Sequence, residues 1–321
     1  MAELEPFGIA PRFVARVWGF RDLRPWYDCV AEGEPIGEVW LTGDECLIAT
    51  GPHKGQRLAA LFAEAHEALL GAGAPSPASP LLIKTIFARE KLSVQVHPGD
   101  AMAQKYGEPR GKTECWFALA AEPGARVAVG FLPGTTLDQV EEKICAGTLE
   151  QSLQAVAVEA GDMIFVDAGT VHAIWPGSIL LETQQNCDIT YRMFDYGRPR
   201  ELHIEKSLEA AKLATRAGKV APRRLADRFV LMDAEYFRVE RIPMDGSRTS
   251  ESLRGGQKPG LSYLFAAAGA GRLTGPGFAA VDLPPRGMVA VPAAAPGFVL
   301  EDAGAPGERL DLIRILPAWP G

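Results

Sequence analysis

The sequence predicts a mainly β protein, built as two related jelly rolls with a smaller α-helical part. Three observations predict it. Short apolar stretches with alternating polarity recur along the chain, separated by tight turns, as in jelly rolls and related barrels. Glycine (34) and proline (25) are both abundant, which suits many turns between short elements. One pattern occurs twice: GDMIFVDAGTVHAI (161–174) is echoed by RGMVAVPAAAPGFV (286–299), each reading as turn, alternating strand, turn and strand.

The elements follow in order. IGEVWLTGDECLIAT (36–50) reads as strand, turn and strand. From Gly55, Leu58, Leu61, Phe62, Ala65 and Leu69 recur at helical spacing and form one apolar stripe, with Gly71 as the C-cap. GAGAPSPASP is a loop, and LLIKTIFA begins a strand at about Leu81. KTECWFALAA (112–121) is strand-like. Thr136 and Gln139 have capping-box spacing ahead of VEEKI. SILLETQQ is a further short strand, RELHIEKSLEAAKLA (200–214) reads as a helix, and an all-β region runs from about Phe229 to Leu316. Two domains are expected, 1–228 and 229–321.

Composition narrows the function. A net charge of -7 argues against nucleic acid as the main partner, while leaving room for a small anion held by local Arg and Lys. No apolar run reaches the length of a membrane span, and the N-terminus has no hydrophobic signal core. Five widely spaced cysteines without a CxxC unit fit free thiols, so a cytosolic protein is expected.

KLSVQVHPGD (91–100) holds the main anomaly. Gln95 and His97 are two apart, so on a strand they share a face. Glu114 follows on a second strand and His172 opens a third. Imidazole, carboxylate and a neutral amide oxygen can together hold zinc, with a position left for water or substrate. Each residue also has a plain reading. Gln95 and His97 could belong to a satisfied core network, Glu114 could pair with Lys112, and His172 could stabilise the turn after Gly169. Glu182 sits in a mostly apolar strand, where a carboxylate is costly unless paired or used. Asp188, Arg192, Arg198 and Arg200 follow closely, and could be a solvated loop with local ion pairs. Trp116, Trp175 and Tyr191 read as core or pocket wall.

LSVQVHPGD, GKTECW, GTVHAI, ETQQNCDITYR and FDYGRPRELHIEK together resemble the signatures of type I mannose-6-phosphate isomerases of the shorter bacterial form. RVWG (Arg16 to Gly19) and IGEVW resemble that family's N-terminal motifs. The resemblance is strong from about residue 12 to about 209 and weak beyond. It implies a cupin architecture with a zinc-binding jelly roll and a metal-free second cupin domain. It implies one Zn2+ per chain, on Gln95, His97, Glu114 and His172, and an active-site arginine at Arg192. Lys112, Glu182 and Asp188 match positions in or near the sugar pocket. The chain departs from the family at Gly99 in HPGD and in WGF for WGG.

The implied reaction interconverts D-mannose 6-phosphate and D-fructose 6-phosphate by proton transfer between C1 and C2 through a cis-enediol(ate). For the base, Glu182 is favoured over Asp188. Lys112 is expected to shuttle protons or contact phosphate. Arg198 and Arg200 are candidate phosphate anchors and Trp175 a candidate wall. Two alternatives stand beside this: an isomerase of a free or different sugar, and a sugar-binding cupin without turnover. A monomer or weak homodimer is expected.

Overall fold

The structure, a computed structural model, describes residues 4–319 apart from Pro75, Pro77, Asp245 and Pro306. The expected loop 71–80 therefore lies partly outside the described residues, as do the outer ends of the two expected domains. The chain divides into two compact units that interleave in sequence: 1–12 with 40–82 and 222–321, and 13–39 with 83–221. The packing thus does not follow a single cut after residue 228. The helix Leu58–Leu70 belongs to the same unit as the C-terminal strands. Its apolar stripe names a buried face but not the sheet that covers it.

In the unit 13–39 with 83–221, the strands form two sheets among the described residues. One has the order Gly218–Val220, Met163–Val166, Glu114–Ala121, Ser178–Gln185, Leu81–Phe87, Ile36–Trp40 and Arg12–Phe20. The other has the order Tyr191–Phe194, Val94–Val96, His172–Ile174, Arg126–Phe131 and Leu153–Ala157. Alternation along each strand sorts the side chains. Trp18, Ile86, Trp116, Ile164 and Leu180 of the first sheet meet Val127, Val129 and Ile174 of the second in one buried cluster. The opposite face of the second sheet carries Val94, Val96, Ala173, Tyr191 and Met193. These pack on Val140 and Ile144 of the helix Leu137–Cys145 and on Ala210 of the helix Ile204–Ala210.

Local signals set the helix ends. Thr136 accepts from the Gln139 backbone and Gln139 reaches back to Thr136, so the capping box forms as expected. The expected helix 200–214 is shorter, Ile204–Ala210. Ala211 is extended, and Lys212 donates its backbone N–H to Gly169 and its Nζ to Ala168, which draws the chain out of the helix. In the helix Leu58–Leu70, Ala65 departs from helical angles and is only half-buried, while Leu58, Leu61, Phe62 and Leu69 are buried as the stripe requires.

The unit containing 222–321 is also two sheets, of seven and four strands, among the described residues. Ile242, Leu264, Leu283, Val289, Leu300 and Leu312 fill the space between them. The sequence echo is a structural one. Met163–Val166 pairs with the strand Glu114–Ala121, with Phe117 opposite Met163 and Glu114 opposite Val166. Met288–Val291 pairs with Ser262–Ala268 in the same register, Phe265 opposite Met288 and Ser262 opposite Val291. Ahead of each strand the turn closes alike, Gly161 and Asp162 on Ala118, Arg286 and Gly287 on Ala266. In this register Ser262 stands where Glu114 stands, and in the sequence echo Gly297 falls at the position of His172.

The described helices include none long and apolar enough to cross a membrane.

Candidate active site

The strand alternation that buries Val94 and Val96 on one face turns Gln95 to the other, toward the first sheet. Gln95 lies opposite His172 on one side and Arg192 on the other. His97 continues on the same face just past the strand end. Across the gap the first sheet presents Glu114. His97, Glu114 and His172 are all essentially fully buried, and their ligand atoms lie within 4.8 Å of one another.

Hydrogen bonds fix how these groups point. His172 Nδ1 donates to the Thr170 carbonyl at 2.9 Å, so Nε2 keeps its lone pair and faces Glu114 Oε1 at 3.4 Å. His97 Nε2 accepts from Lys112 Nζ at 3.0 Å and lies 3.7 Å from Glu114 Oε2. Burial holds both imidazoles neutral, His172 down to about 4 and His97 well below its ordinary value. Two neutral imidazoles and a carboxylate converging in a buried site are a donor set that fits a divalent metal ion. Gln95 Nε2 sits 3.2 Å from His172 Nε2, and its Oε1 accepts from Ser93.

Beside the cluster, within the same unit, lies a cavity of about 360 Å³ lined by Arg16, Lys84, Lys112, Glu182, Arg192 and Arg200. Gln95 and Glu38 line it too, and Gln95 and Lys112 connect it to the cluster. Glu182 is buried, with Oε1 3.2 Å from Lys84 Nζ and 3.6 Å from Lys112 Nζ. Burial, reinforced by the Glu114 charge, raises its pKa despite both lysines. For Lys84 the balance goes the other way. Burial disfavours its charge, but Glu182 and Glu38 outweigh that and raise its pKa. Lys112 is likewise raised against its burial by Glu114 and Glu182.

The structure brings together Gln95, His97, Lys112, Glu114, His172, Glu182, Asp188 and Arg192. Besides the buried ligands His97, Glu114 and His172, two candidates fall outside the cavity lining. Trp175 packs with the outer-face cluster of the second sheet, with Lys91 Nζ 5.1 Å from its ring. Arg198 is occupied by Asp195 at 3.1 Å, Glu90 at 3.0 Å and the Lys91 carbonyl at 2.8 Å. Its neighbour Arg200 lines the cavity instead, forked onto Asp195 at 2.6 Å. Arg192 donates Nη1 to the Glu201 carbonyl, and its buried Nε has no partner among the described residues.

Sequence reasoning missed Lys84 and Glu38. The signal was present: a lone lysine inside LLIKTIFA and a lone glutamate inside IGEVW, each costly to bury unless paired. Arg16 lay in a noted motif without an assigned role.

The chain is 33% identical over 286 residues to the mannose-6-phosphate isomerase of Streptococcus mutans, covering 84% of this chain and 87% of that protein. It is 33% identical to mannose-6-phosphate isomerase ManA of Bacillus subtilis, with the same coverage on both sides. The crystal structure of the mannose 6-phosphate isomerase from Bacillus subtilis superposes with a TM-score of 0.84 at 28% identity, covering 97% of this chain and 99% of that one. A putative mannosephosphate isomerase from Archaeoglobus fulgidus shares the fold at 21% identity, with a TM-score of 0.76 over 99% of each chain. No family model matches the chain. The chain belongs to the bacterial type I mannose-6-phosphate isomerases.

Proposed function

We propose that this member of the mannose-6-phosphate isomerase family interconverts D-mannose 6-phosphate and D-fructose 6-phosphate, using one zinc ion held by Gln95, His97, Glu114 and His172. The observation that carries the reading is the buried His97–Glu114–His172 cluster, joined through Gln95 and Lys112 to a cavity rich in cations. A half-turn of the Gln95 amide exchanges Nε2 for Oε1 and gives the fourth ligand. The bound ion supplies Lewis-acid charge to a sugar oxygen.

The protein's own groups do the rest. Isomerisation of an aldose removes the proton on C2 and returns one to C1, so a base must stand beside those carbons. Glu182 is the residue proposed, because its raised pKa brings it closer to the working pH of a general base. Asp188 fits less well: its side chain is 50% exposed and sits 3.7 Å from Arg16. Lys84 and Lys112 offer buried ammonium groups to the oxygens on which negative charge develops in the enediolate. Arg192 and Arg200 offer guanidinium groups to the phosphate.

Each pair of sheets is read as one cupin jelly roll, and the repeated register supports two related copies of which one keeps the site. All five cysteines are free, which suits a reducing compartment, and the cytosol is the location proposed. The chain is taken to act as a monomer or weak homodimer.

The test is turnover of mannose 6-phosphate by metal-stripped protein before and after one equivalent of zinc. Activity that is lost and then restored supports reaction and metal together. Folded protein inactive in both states overturns the reading. The ratio of kcat/KM for mannose 6-phosphate and free mannose decides whether phosphate is required.

A further inference from the structure

The inner-face polar residues of the first sheet form a row that the proposed chemistry does not fully use. Glu114, Glu182, Lys84, Glu38 and Arg16 stand on five strands that are neighbours in that sheet, in this order. Lys112 fits between the first two. The distances run as a chain: Lys112 Nζ to Glu114 Oε2 2.8 Å, Lys112 Nζ to Glu182 Oε1 3.6 Å, Lys84 Nζ to Glu182 Oε1 3.2 Å. It continues from Lys84 Nζ to Glu38 Oε1 at 3.4 Å and from Glu38 Oε2 to Arg16 Nη2 at 2.8 Å. Charge alternates along the whole row. Every member but Arg16, whose side chain is 27% exposed, is buried.

We propose that Glu38 is a positioning residue for the isomerisation: through Lys84 it fixes the place of the Glu182 carboxylate, with Arg16 anchoring Glu38 from the solvent side. The inference rests on the reading of Glu182 as the base. Its physical reason is the geometry of Lys84. A lysine has a flexible stem and three donors, so one carboxylate alone does not fix where its ammonium sits. Two carboxylates on opposite sides do, and the second is Glu38. Glu38 is backed in turn by a guanidinium, which donates from a planar, preorganised fork. The Gly37 backbone next to it lies so close to Trp18 and Arg16 that a Cβ there would meet them at 2.5 and 2.6 Å, which leaves the Glu38 strand little room to shift.

The test uses full-length zinc-loaded protein carrying Glu38→Gln and Glu38→Asp, with Arg16→Met as a variant at the exposed end that is less prone to misfold. Two quantities are measured: steady-state kinetics on mannose 6-phosphate, and calorimetric binding of mannitol 6-phosphate, which carries the phosphate and hydroxyls but has no carbonyl to enolise. In Glu38→Gln, kcat is expected to fall by about a hundredfold, the scale set by misplacing a reacting group by about 1 Å. Glu38 lines the cavity, so binding is the discriminating readout: a residue that acts only through Lys84 leaves KM and the affinity for mannitol 6-phosphate within about twofold. Glu38→Asp should recover part of kcat, and Arg16→Met should fall between wild type and Glu38→Gln. Weakened polyol binding with kcat intact would overturn the proposal, because Glu38 would then touch the sugar. Unchanged kcat in Glu38→Gln would overturn it as well. Failure of the wild type to turn over mannose 6-phosphate is a separate result, and it counts against the function and not against the row.

Discussion

Replacing Glu182 by glutamine separates the chemistry of this site from its stability. The carboxylate lies 3.2 Å from one buried ammonium and 3.6 Å from another. At an effective dielectric of about 20, each contact is worth roughly 5 kcal/mol of gross attraction. That sum is not what the substitution removes. The pKa of Glu182 is raised, so burial together with the Glu114 charge outweighs both lysines, and the ionised carboxylate is less stable here than in water. The cost of Glu182→Gln therefore falls on the lysines, and both keep a second partner: Glu38 at 3.4 Å for Lys84 and Glu114 at 2.8 Å for Lys112. We expect a loss of about 1–2 kcal/mol, short of the 3–5 kcal/mol typical when a buried pair is broken outright. The loss in kcat should be larger, about 10²- to 10⁴-fold, because an amide cannot take the C2 proton. The assays are urea unfolding, turnover of mannose 6-phosphate, and deuterium uptake from D2O into the sugar. A variant that keeps near-normal exchange would remove Glu182 from the proton-transfer role. One that unfolds with a loss above about 4 kcal/mol would show that the partners left to the lysines do not compensate them.

Three further outcomes are expected. Arg198→Met should leave KM for mannose 6-phosphate within about twofold of wild type, because Arg198 serves Asp195, Glu90 and Lys91; a large rise in KM would return it to the phosphate site. Gly37→Ala should cost about 1–3 kcal/mol in unfolding free energy and raise KM, since the new methyl must displace Trp18 and Arg16; unaltered melting and kinetics would count against the tight packing. The third concerns pH in metal-stripped protein. His172 takes a proton near 6.5 when unfolded but only near 4 when folded. Between those values the unfolded chain binds more protons, so its contribution to stability is lost as pH falls, by about 3 kcal/mol in all. Urea unfolding at pH 7 and pH 4.5 should therefore show wild type losing more stability than His172→Asn, and equal losses would refute the assignment.

Much of the metal cluster was legible because its ligands sit in short, distinctive strands. Gln95 and His97 break an apolar alternation on one face, and VHAI places His172 at a strand start beside a glycine turn. The row from Lys84 to Arg16 was not legible for a different reason. Lys84 and Glu182 are 98 positions apart, and only the sheet order, which inserts Ser178–Gln185 beside Leu81–Phe87, makes them neighbours. The arginine pair shows a finer limit. Arg198 and Arg200 are two residues apart in a loop, where no strand or helix period says which one faces the cavity, and the fork of Asp195 settles their places. The helix Leu58–Leu70 was found from its stripe, while its membership of the C-terminal unit depends on packing no local pattern encodes.

The split of one inter-sheet layer into an apolar half and a charged half has a consequence for how the gene tolerates change. Ile86 lies two positions from Lys84, Trp18 two from Arg16, Trp116 two from Glu114, Leu180 two from Glu182 and Ile174 two from His172. Each strand thus writes both assignments in the same reading of every second codon. A saturation library scored separately for abundance and for growth dependent on the isomerase should trace adjacent stripes on these five strands. Substitutions at the first residue of each pair should deplete growth only as far as they deplete abundance, and those at the second should deplete growth well beyond their smaller loss of abundance.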